Sequence, residues 1–456
     1  MEKELLYEGK KLAIWGLGYI GVSTMANFAA KGVKCIGYDI KSEVVDRINE
    51  GKLPYDDTMF YWIGFDTKPL VEKGLMVATN NPNDLFSDDV IAHLICVPTE
   101  LDGEPWDDAL VYVTENITKF YTEKFSQTVG VTKYQIGVIV ESTISPDKVN
   151  DLINIFKVNG IDVMDEGSGI FLGGAPRRDW FVSSDKNLVN LPRVIGATND
   201  VGTIRMNKLY SIICNTVLEA SGMKEACLVK SVENAYRHLD ITFANELALA
   251  YPNVNIREVL RLASTKWNIG LYHPSLGCAG YCIPLAPRYV LRGATYPLEL
   301  KLIKAAIETD DRQPSILANK IISSDYKNVG ILGLAYTKNL KVDILSPTKR
   351  IAKILKDFGL DVRINDPFYS EEEIYNKTEC ATFKYPDDLD TFDVVIIVDD
   401  HNQYRQVPKG IIVEKLKKVK RVWDNVGLFL DLKEQINSDS EKEIYSEIGG
   451  ANWLNV

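Results

Sequence analysis

The chain is short of histidine, short of basic charge and without a long apolar run, and each shortage removes a class of function. Only four histidines occur in 456 residues, His93, His238, His273 and His401. None stands at metal-ligand spacing from another histidine or a cysteine, so no metal is expected. Acidic residues outnumber basic ones, 63 to 52, giving a formal net charge of −11. No basic excess exists to neutralise phosphates, so a nucleic-acid partner is not expected; a small anion needs only a local cluster of donors. An apolar run of about 18 residues, the length of a membrane span, is missing, so no membrane partner is expected. The opening MEKELLYEGKK lacks the apolar core of a secretion signal, and the seven cysteines are odd in number and scattered. Both point to a cytoplasmic protein with reduced thiols rather than a disulfide framework. Low-complexity segments are lacking too.

What is present is alternation. KLAIWGLG reads as a strand entering a glycine turn, GVSTMANFAAKG as a helix that stops at Gly32, and VKCIGYDI as a second strand ending in Asp39. VIAHLICVP and QIGVIVEST continue the theme, which predicts a parallel sheet covered by helices over residues 1–200. From Gly202 to about Ala250 strand signal is weak and helical spacing strong. Val229, Val232, Tyr236, Leu239, Phe243 and Leu247 recur at three- or four-residue steps, predicting a buried stripe. Residues 201–315 are read as a mainly helical segment, its long helix serving either as core or as a subunit interface. The last third, 316–456, returns to α/β with NVGILGLAY, LDVRINDP, FDVVIIVDD and KRVWDNVG. Its strand, glycine turn, helix, strand and acidic end repeat the N-terminal plan. The tail after about Ser438 is polar and expected to fray.

Three constellations carry chemistry. Gly16-x-Gly18-x-x-Gly21 follows a strand, opens a helix, and is followed 18 residues later by Asp39. Glycines there permit a tight turn and close approach to a pyrophosphate, while an acid at the next strand end takes ribose hydroxyls and repels a 2′-phosphate. This predicts NAD rather than NADP, a preference that Lys41 softens. Cys282 lies in PSLGCAGYCIPLAP, among glycines and prolines that suit a rigid loop. A thiolate there could attack an aldehyde carbon; an inert buried thiol, or a disulfide or metal pair with Cys278, are the alternatives. Lys230 and Asn234 stand four apart on one helix face, with Asn245 near the same face. A lysine and an asparagine projecting together can hold an oxyanion, or they can simply face solvent.

With these residues in this order, the chain resembles the UDP-glucose/GDP-mannose dehydrogenase family. The resemblance rests on GLGYIGV, on CVPT at Cys96–Thr99, on ESTISP at Glu141–Pro146, on KSVENAYRHLDITFANELA, on YHPSLGCAGYCIP, and on GLAY followed by Ser346-Pro347. It implies two Rossmann-like doubly wound domains joined by a long central helix and a helical, dimer-forming middle domain, with UDP bound by the C-terminal domain. It implies NAD as cofactor, bound around Gly16, Gly18, Tyr19, Ile20, Gly21, Asp39, Pro98, Thr99 and Ser142. The implied reaction is a four-electron oxidation of a sugar C6 alcohol to the acid. Cys282 would be the nucleophile, Lys230 and Asn234 the oxyanion holders, and Thr143 the holder of a water. Arg178, Tyr272, Gly277, Gly280 and Lys338 would contact the nucleotide-sugar. The cysteine loop, with Cys-Ile-Pro, is most similar to the branch acting on UDP-N-acetylhexosamines, with UDP-glucose second. Such acids feed polysaccharide or glycan synthesis.

The chain also departs from the family pattern. Arg177 stands where a catalytic Glu is expected, Ala286 where an Asp follows the nucleophile, and Thr337 where a Lys is expected, with Lys338 next. The first two changes remove carboxylates from the implied site, and general-base help is worth about 10²–10⁴-fold. Asp179 or Glu166 are candidates to replace them, and Arg177 and Arg178 could add positive charge against a substrate anion. A two-electron oxidation, or binding without turnover, are the alternative functions.

Overall fold

A computed structural model of the chain describes residues 9–55, 62–127, 136–179, 186–438, 440 and 443–455. They form two compact units, Met1–Glu233 with Arg292–Thr295, and Asn234–Leu291 with Tyr296–Val456.

The first unit is built on an eight-stranded sheet. In chain order its strands are β1 (Lys11–Trp15), β2 (Lys34–Tyr38), β3 (Met76–Thr79), β4 (Val90–Ile95), β5 (Ile136–Val140), β6 (Ile170–Gly174), β7 (Arg193–Ala197) and β8 (Val217–Glu219). Across the sheet the order is β8-β7-β6-β5-β4-β1-β2-β3. Reading 3-2-1-4-5-6 from one edge, this is the doubly wound arrangement that opens a crevice where the order reverses, at β1 and β4. All pairings are parallel except β6 with β7. Both faces are covered: Leu12 and Ile14 of β1 enter one apolar cluster, Ala13 and Trp15 the other. That two-sided burial is why the strands read as continuous apolar runs.

The second unit repeats the plan. Its strands are β9 (Asn328–Leu332), β10 (Asp361–Asn365), β11 (Ala381–Thr382), β12 (Val394–Ile397), β13 (Arg421–Asp424) and β14 (Tyr445–Glu447). Their order, β11-β10-β9-β12-β13-β14, is again 3-2-1-4-5-6, and every pairing is parallel. Val394 and Ile396 face one cluster, Val395 and Ile397 the other.

All eight strand-like runs named from the sequence are strands. Of the six unannounced in these two sheets, β8, β11 and β14 are two or three residues long, too short to show a period; β3, β6 and β7 are four or five residues long, and β6 and β7 carry glycine, which weakens the apolar signal. β8 also places a strand inside the stretch expected to be helical.

Two expectations are corrected. On the 28-residue helix Met223–Ala250 the large apolar residues are not the buried stripe. Tyr236 and Phe243 are 67% and 58% exposed, and from Ser231 onward the buried positions are Ser231, Asn234, Ala235, His238, Thr242, Ala244, Asn245 and Ala248. Small and hydrogen-bonding side chains let other backbone approach that face, which a count of apolar residues cannot reveal. The tail does not fray either, among its described residues. Tyr445 is fully buried, and Trp453 is buried with its indole N–H donating to the Ala248 carbonyl at 3.0 Å.

Candidate active site

In the first unit the glycine turn between β1 and α1 (Tyr19–Ala30) is dictated by space. Gly16 has φ +87°, and a Cβ there would lie 2.7 Å from the Cys96 carbonyl oxygen. A Cβ on Gly21 would lie 1.9 Å from the Gly16 carbonyl oxygen, whereas one on Gly18, at the mouth of the turn, would meet nothing within 4 Å. The first turn of α1 carries no acidic residue, so its free N–H groups and dipole face open space suited to an anion. Tyr19 and Ile20 open the helix, with Tyr19 stacked on Tyr55 at 4.6 Å. Asp39 closes the turn: one carboxylate oxygen accepts from the Leu17 N–H at 2.8 Å, the other from the Lys41 N–H at 2.9 Å. The second unit uses the same device, with Asp366 after β10 accepting from Leu334 and Ala335 N–H at 2.7 and 2.9 Å.

The two loops after β4 and β5 are tied together. Thr99 Oγ1 donates to the Thr143 carbonyl at 2.6 Å and Ser142 Oγ to the Val97 carbonyl at 2.6 Å. Pro98 is exposed and Thr143 half-buried.

Below α1 lies a buried charged network. The Arg177 guanidinium grips both Asp179 oxygens, at 2.8 and 2.6 Å, and donates to Thr24 and Ser23 of α1 at 2.8 and 3.2 Å. Glu141 accepts from Thr24 at 2.6 Å and Tyr210 at 2.7 Å and pairs with Arg193 at 2.8 Å. Arg177 is therefore a brace under the glycine-turn helix, and the reading of it as positive charge for a substrate anion is corrected. Asp179 is likewise a poor replacement base. Burial pushes its carboxyl up, but Arg177 outweighs burial and leaves it below its ordinary value, and a low pKa makes a weak base. Glu166 is exposed. Arg178 pairs with Glu233 at 2.5 Å and donates to the Pro192 carbonyl at 2.7 Å.

Lys230 and Asn234 project from the same face of Met223–Ala250, and among the described residues neither side chain has a hydrogen-bond or ionic partner. Asn234 is buried and Lys230 half-buried.

In the second unit the cysteine loop hangs from three side chains, two of them buried and Asn425 half-buried. Asn245 Oδ1 accepts from Ser275 N–H at 2.7 Å, Asn425 Oδ1 from Leu276 N–H at 2.9 Å, and Asp310 Oδ1 from Cys278 N–H at 2.8 Å. Asp310 lies in the helix Lys301–Ile322, four residues before its internal Pro314. Proline lacks an N–H, so the Asp310 carbonyl loses its helical donor; Gly277, with φ +111°, packs against that carbonyl. Gly280, with φ +85°, donates to the Ile344 carbonyl at 2.8 Å and lies against the Tyr336 ring. Tyr336 itself is pushed up to about 12, by burial and then by the neighbouring Cys282 and Tyr281, so it stays a neutral hydrogen-bonding group at neutral pH.

Cys282 is exposed, whereas Cys278 is half-buried and its thiol, through loss of solvation and then Asp310, is held well above its ordinary value. Of the two thiols, only Cys282 is placed to react. Tyr272 hydrogen-bonds Asp240. Lys338 is exposed and 3.3 Å from Asp400. Ala286, in the expected aspartate's place, is fully buried, its N–H donating to the Cys282 carbonyl at 3.1 Å.

Models of one family match in chain order. Its NAD binding domain matches residues 10–214, its central domain 224–312 and its UDP binding domain 330–436, together more than half of the chain. The chain belongs to the UDP-glucose/GDP-mannose dehydrogenase family. It is an NAD-dependent oxidoreductase. Among similar proteins of this family is the UDP-N-acetyl-D-mannosamine dehydrogenase of Pyrococcus horikoshii, 28% identical over 87% of this chain and 91% of that protein. The Methanocaldococcus jannaschii protein of the same name is 28% identical over 95% of each chain. The solved UDP-D-ManNAc dehydrogenase of Pyrococcus horikoshii superposes with TM-score 0.77 at 25% identity, over 97% of this chain and 100% of that one.

The structure thus gathers the cofactor candidates around one turn and two tied loops, and places Gly277, Gly280 and Cys282 on one braced loop. Sequence reasoning placed Asn245 near the Lys230 face and Glu141 in a motif without giving either a bracing role, and it missed the braces Arg193, Asp310 and Asn425. Each is an ordinary polar residue far along the chain from what it holds, and no local pattern marks its bracing role.

Proposed function

We propose that this protein oxidises the C6 alcohol of a UDP-N-acetylhexosamine, with the manno configuration favoured and UDP-glucose second, to the uronic acid. The observation that carries this reading is the exposed Cys282 on a loop fixed by the side chains of Asn245, Asp310 and Asn425. Lys230 and Asn234, on one helix face and without partners among the described residues, support it. The UDP-N-acetyl-D-mannosamine activity named for the two archaeal relatives supports the choice of sugar.

The glycine turn, the open N-terminus of α1 and Asp39 fit a dinucleotide without a 2′-phosphate, and NAD supplies the hydride acceptor for both oxidations. The rest falls to the chain. Lys230 and Asn234 hold the C6 oxygen and stabilise negative charge on it. Once the alcohol has lost a proton and a hydride to become an aldehyde, the Cys282 thiolate forms a bond to C6, and the oxygen takes a proton. Loss of a second hydride and that proton gives a thioester on Cys282. Water, held by Thr143, adds to the thioester carbon; the C–S bond breaks, the acid leaves and the thiol regains a proton. Arg178, Tyr272, Gly277, Gly280 and Lys338 are assigned to the nucleotide-sugar; residues 1–200 are assigned as the NAD-binding domain, 201–315 as the helical central and dimerisation domain, and 316–456 as the UDP-binding domain. The acid product suits polysaccharide or glycan synthesis. Seven free cysteines, and no helix among the described residues long and apolar enough to cross a membrane, support a cytoplasmic site of action. A homodimer is the proposed assembly.

The test is NADH formed per sugar consumed, with mass analysis of product, across a panel of UDP- and GDP-sugars. Two NADH and a uronic acid from UDP-N-acetylmannosamine are expected. A Cys282→Ser variant should bind NAD and lose acid formation. One NADH with an aldehyde or keto product would mean that Arg177 and Ala286 mark a two-electron enzyme. Tight sugar binding without turnover would leave a binding protein.

A further inference from the structure

Three side chains from distant parts of the second unit converge behind the cysteine loop. His238 comes from Met223–Ala250, Cys278 from the loop itself, and Asp310 from Lys301–Ile322. One ligand atom from each lies within 4.8 Å of the other two. His238 Nε2 and Asp310 Oδ2 are 3.5 Å apart, with the histidine and aspartate side chains 1% and 5% exposed. A tetrahedral ion with bonds of about 2.0–2.3 Å separates its ligand atoms by roughly 3.3–3.7 Å, so the cluster needs only a small contraction.

The donor set is imidazole, thiol and carboxylate, the combination that suits zinc and its spectroscopic substitute cobalt(II) better than magnesium or calcium. The Cys278 thiol hydrogen-bonds Asp310, but polar atoms around the cluster are left over. His238 Nδ1 is buried with no hydrogen-bond partner, and so is Asn245 Nδ2, two helical turns further along the same face. Buried polar atoms of this kind are uncommon and call for an explanation such as an ion or water.

We infer that His238, Cys278 and Asp310 form a binding site for a divalent zinc-type cation, with a water as fourth ligand. Binding exchanges one proton for the ion: the Cys278 S–H bond breaks, a sulfur–metal bond forms, and the proton leaves to solvent. No electron moves. The site is distinct from the reacting thiol. Its effect is to lock the loop at Cys278, four residues before Cys282, where the Asp310 carboxylate already holds the backbone. This inference does not depend on the sugar assigned above.

The experiment is a cobalt(II) titration of the reduced, chelator-treated full chain, read by absorbance. The expected result is about one equivalent bound, with a thiolate-to-cobalt charge-transfer band in the near ultraviolet and visible bands of tetrahedral type. Cys282→Ser should keep the spectrum. Cys278→Ser and Cys278→Val should abolish the charge-transfer band while the far-ultraviolet circular dichroism shows a folded chain, and His238→Gln should weaken binding at least tenfold. Proton release on zinc addition should vanish with Cys278→Ser. Absence of the band in the unmodified chain, its survival in Cys278→Ser, or its loss only in Cys282→Ser would overturn the site. All of these readouts are independent of sugar oxidation.

Discussion

Arg177 and Asp179 show how a single residue's charge is decided by its surroundings. Both side chains are almost completely buried, at 3% and 2% exposure, and held 2.6 Å apart. Removing one partner strands the other's charge, which typically costs about 3–5 kcal/mol, while an apolar replacement of both is often nearly neutral. Arg177→Met and Asp179→Leu are therefore each expected to be destabilising by that order in urea unfolding. The double variant should recover much of the loss. Simple additivity of the two penalties would mean that the pair is not energetically coupled. Asp399 behaves in the opposite way. Burial, together with the nearby charges of Asp400 and Asp366, raises it to about 6 although His401 draws it down, and its Oδ2 has no hydrogen-bond partner. Its folded pKa lies above its unfolded one, so the folded state holds the extra proton. That contribution is complete below about pH 4 and is lost as pH rises through about 6. Asp399→Asn imitates the protonated form. It should match the parent near pH 4 and be more stable by about 1–3 kcal/mol near pH 8; a difference that does not change with pH would remove the explanation.

At the scale of elements, the glycine turn is the piece most exposed to a single atom. A methyl group on Gly21 would sit 1.9 Å from the Gly16 carbonyl oxygen, which is backbone and cannot rotate away. Gly21→Ala should thus open the turn, displace the N-terminus of α1 and weaken NAD binding by at least tenfold in calorimetric titration. Gly18→Ala meets no protein atom, so any loss of NAD affinity there reports crowding of the ligand itself. Equal NAD affinity in the parent and the Gly21→Ala variant would contradict the steric account. The same element explains what was readable in the sequence. Gly16, Gly18, Gly21 and Asp39 are local to one strand-turn-helix-strand unit, so their spacing carries the geometry, and eight strands announce themselves by apolar runs, whereas β6 and β7, equally buried but with glycine in IFLGG and RVIGA, do not. The loop around Cys282 was readable only as far as its glycines. What suspends it, Asn245, Asp310 and Asn425, comes from three elements separated by much of the chain, and only folding brings them together. The helix Met223–Ala250 was misread for a related reason. Its inner face is Ser231, Ala235, His238, Thr242 and Ala248, chosen for closeness and hydrogen bonding, while its larger residues point elsewhere.

Those larger residues pose the question at the scale of the whole molecule. Tyr236 and Phe243 are joined in the second unit by Val259 and Leu262 on the helix Ile256–Ala263, at 44% and 53% exposure, and by Trp267 at 92%. Ile256–Ala263 is sharply two-sided, with Arg257 and Arg261 among its polar residues. Single exposed apolar residues are ordinary, whereas a contiguous apolar patch marks a surface that another protein covers, and we propose that these residues form one. A second copy of the chain is the proposed occupant, because a two-fold interface needs only one self-complementary patch. Light scattering behind size exclusion should give a dimer for the parent chain, and Phe243→Glu combined with Leu262→Glu should shift it to monomer, since a buried carboxylate without a partner is costly. Neither residue is in the cofactor turn or the cysteine loop, so NAD binding should persist in the monomer. A parent chain that is already monomeric at tens of micromolar, or a double variant that remains dimeric, would place the subunit contact on another surface or remove it.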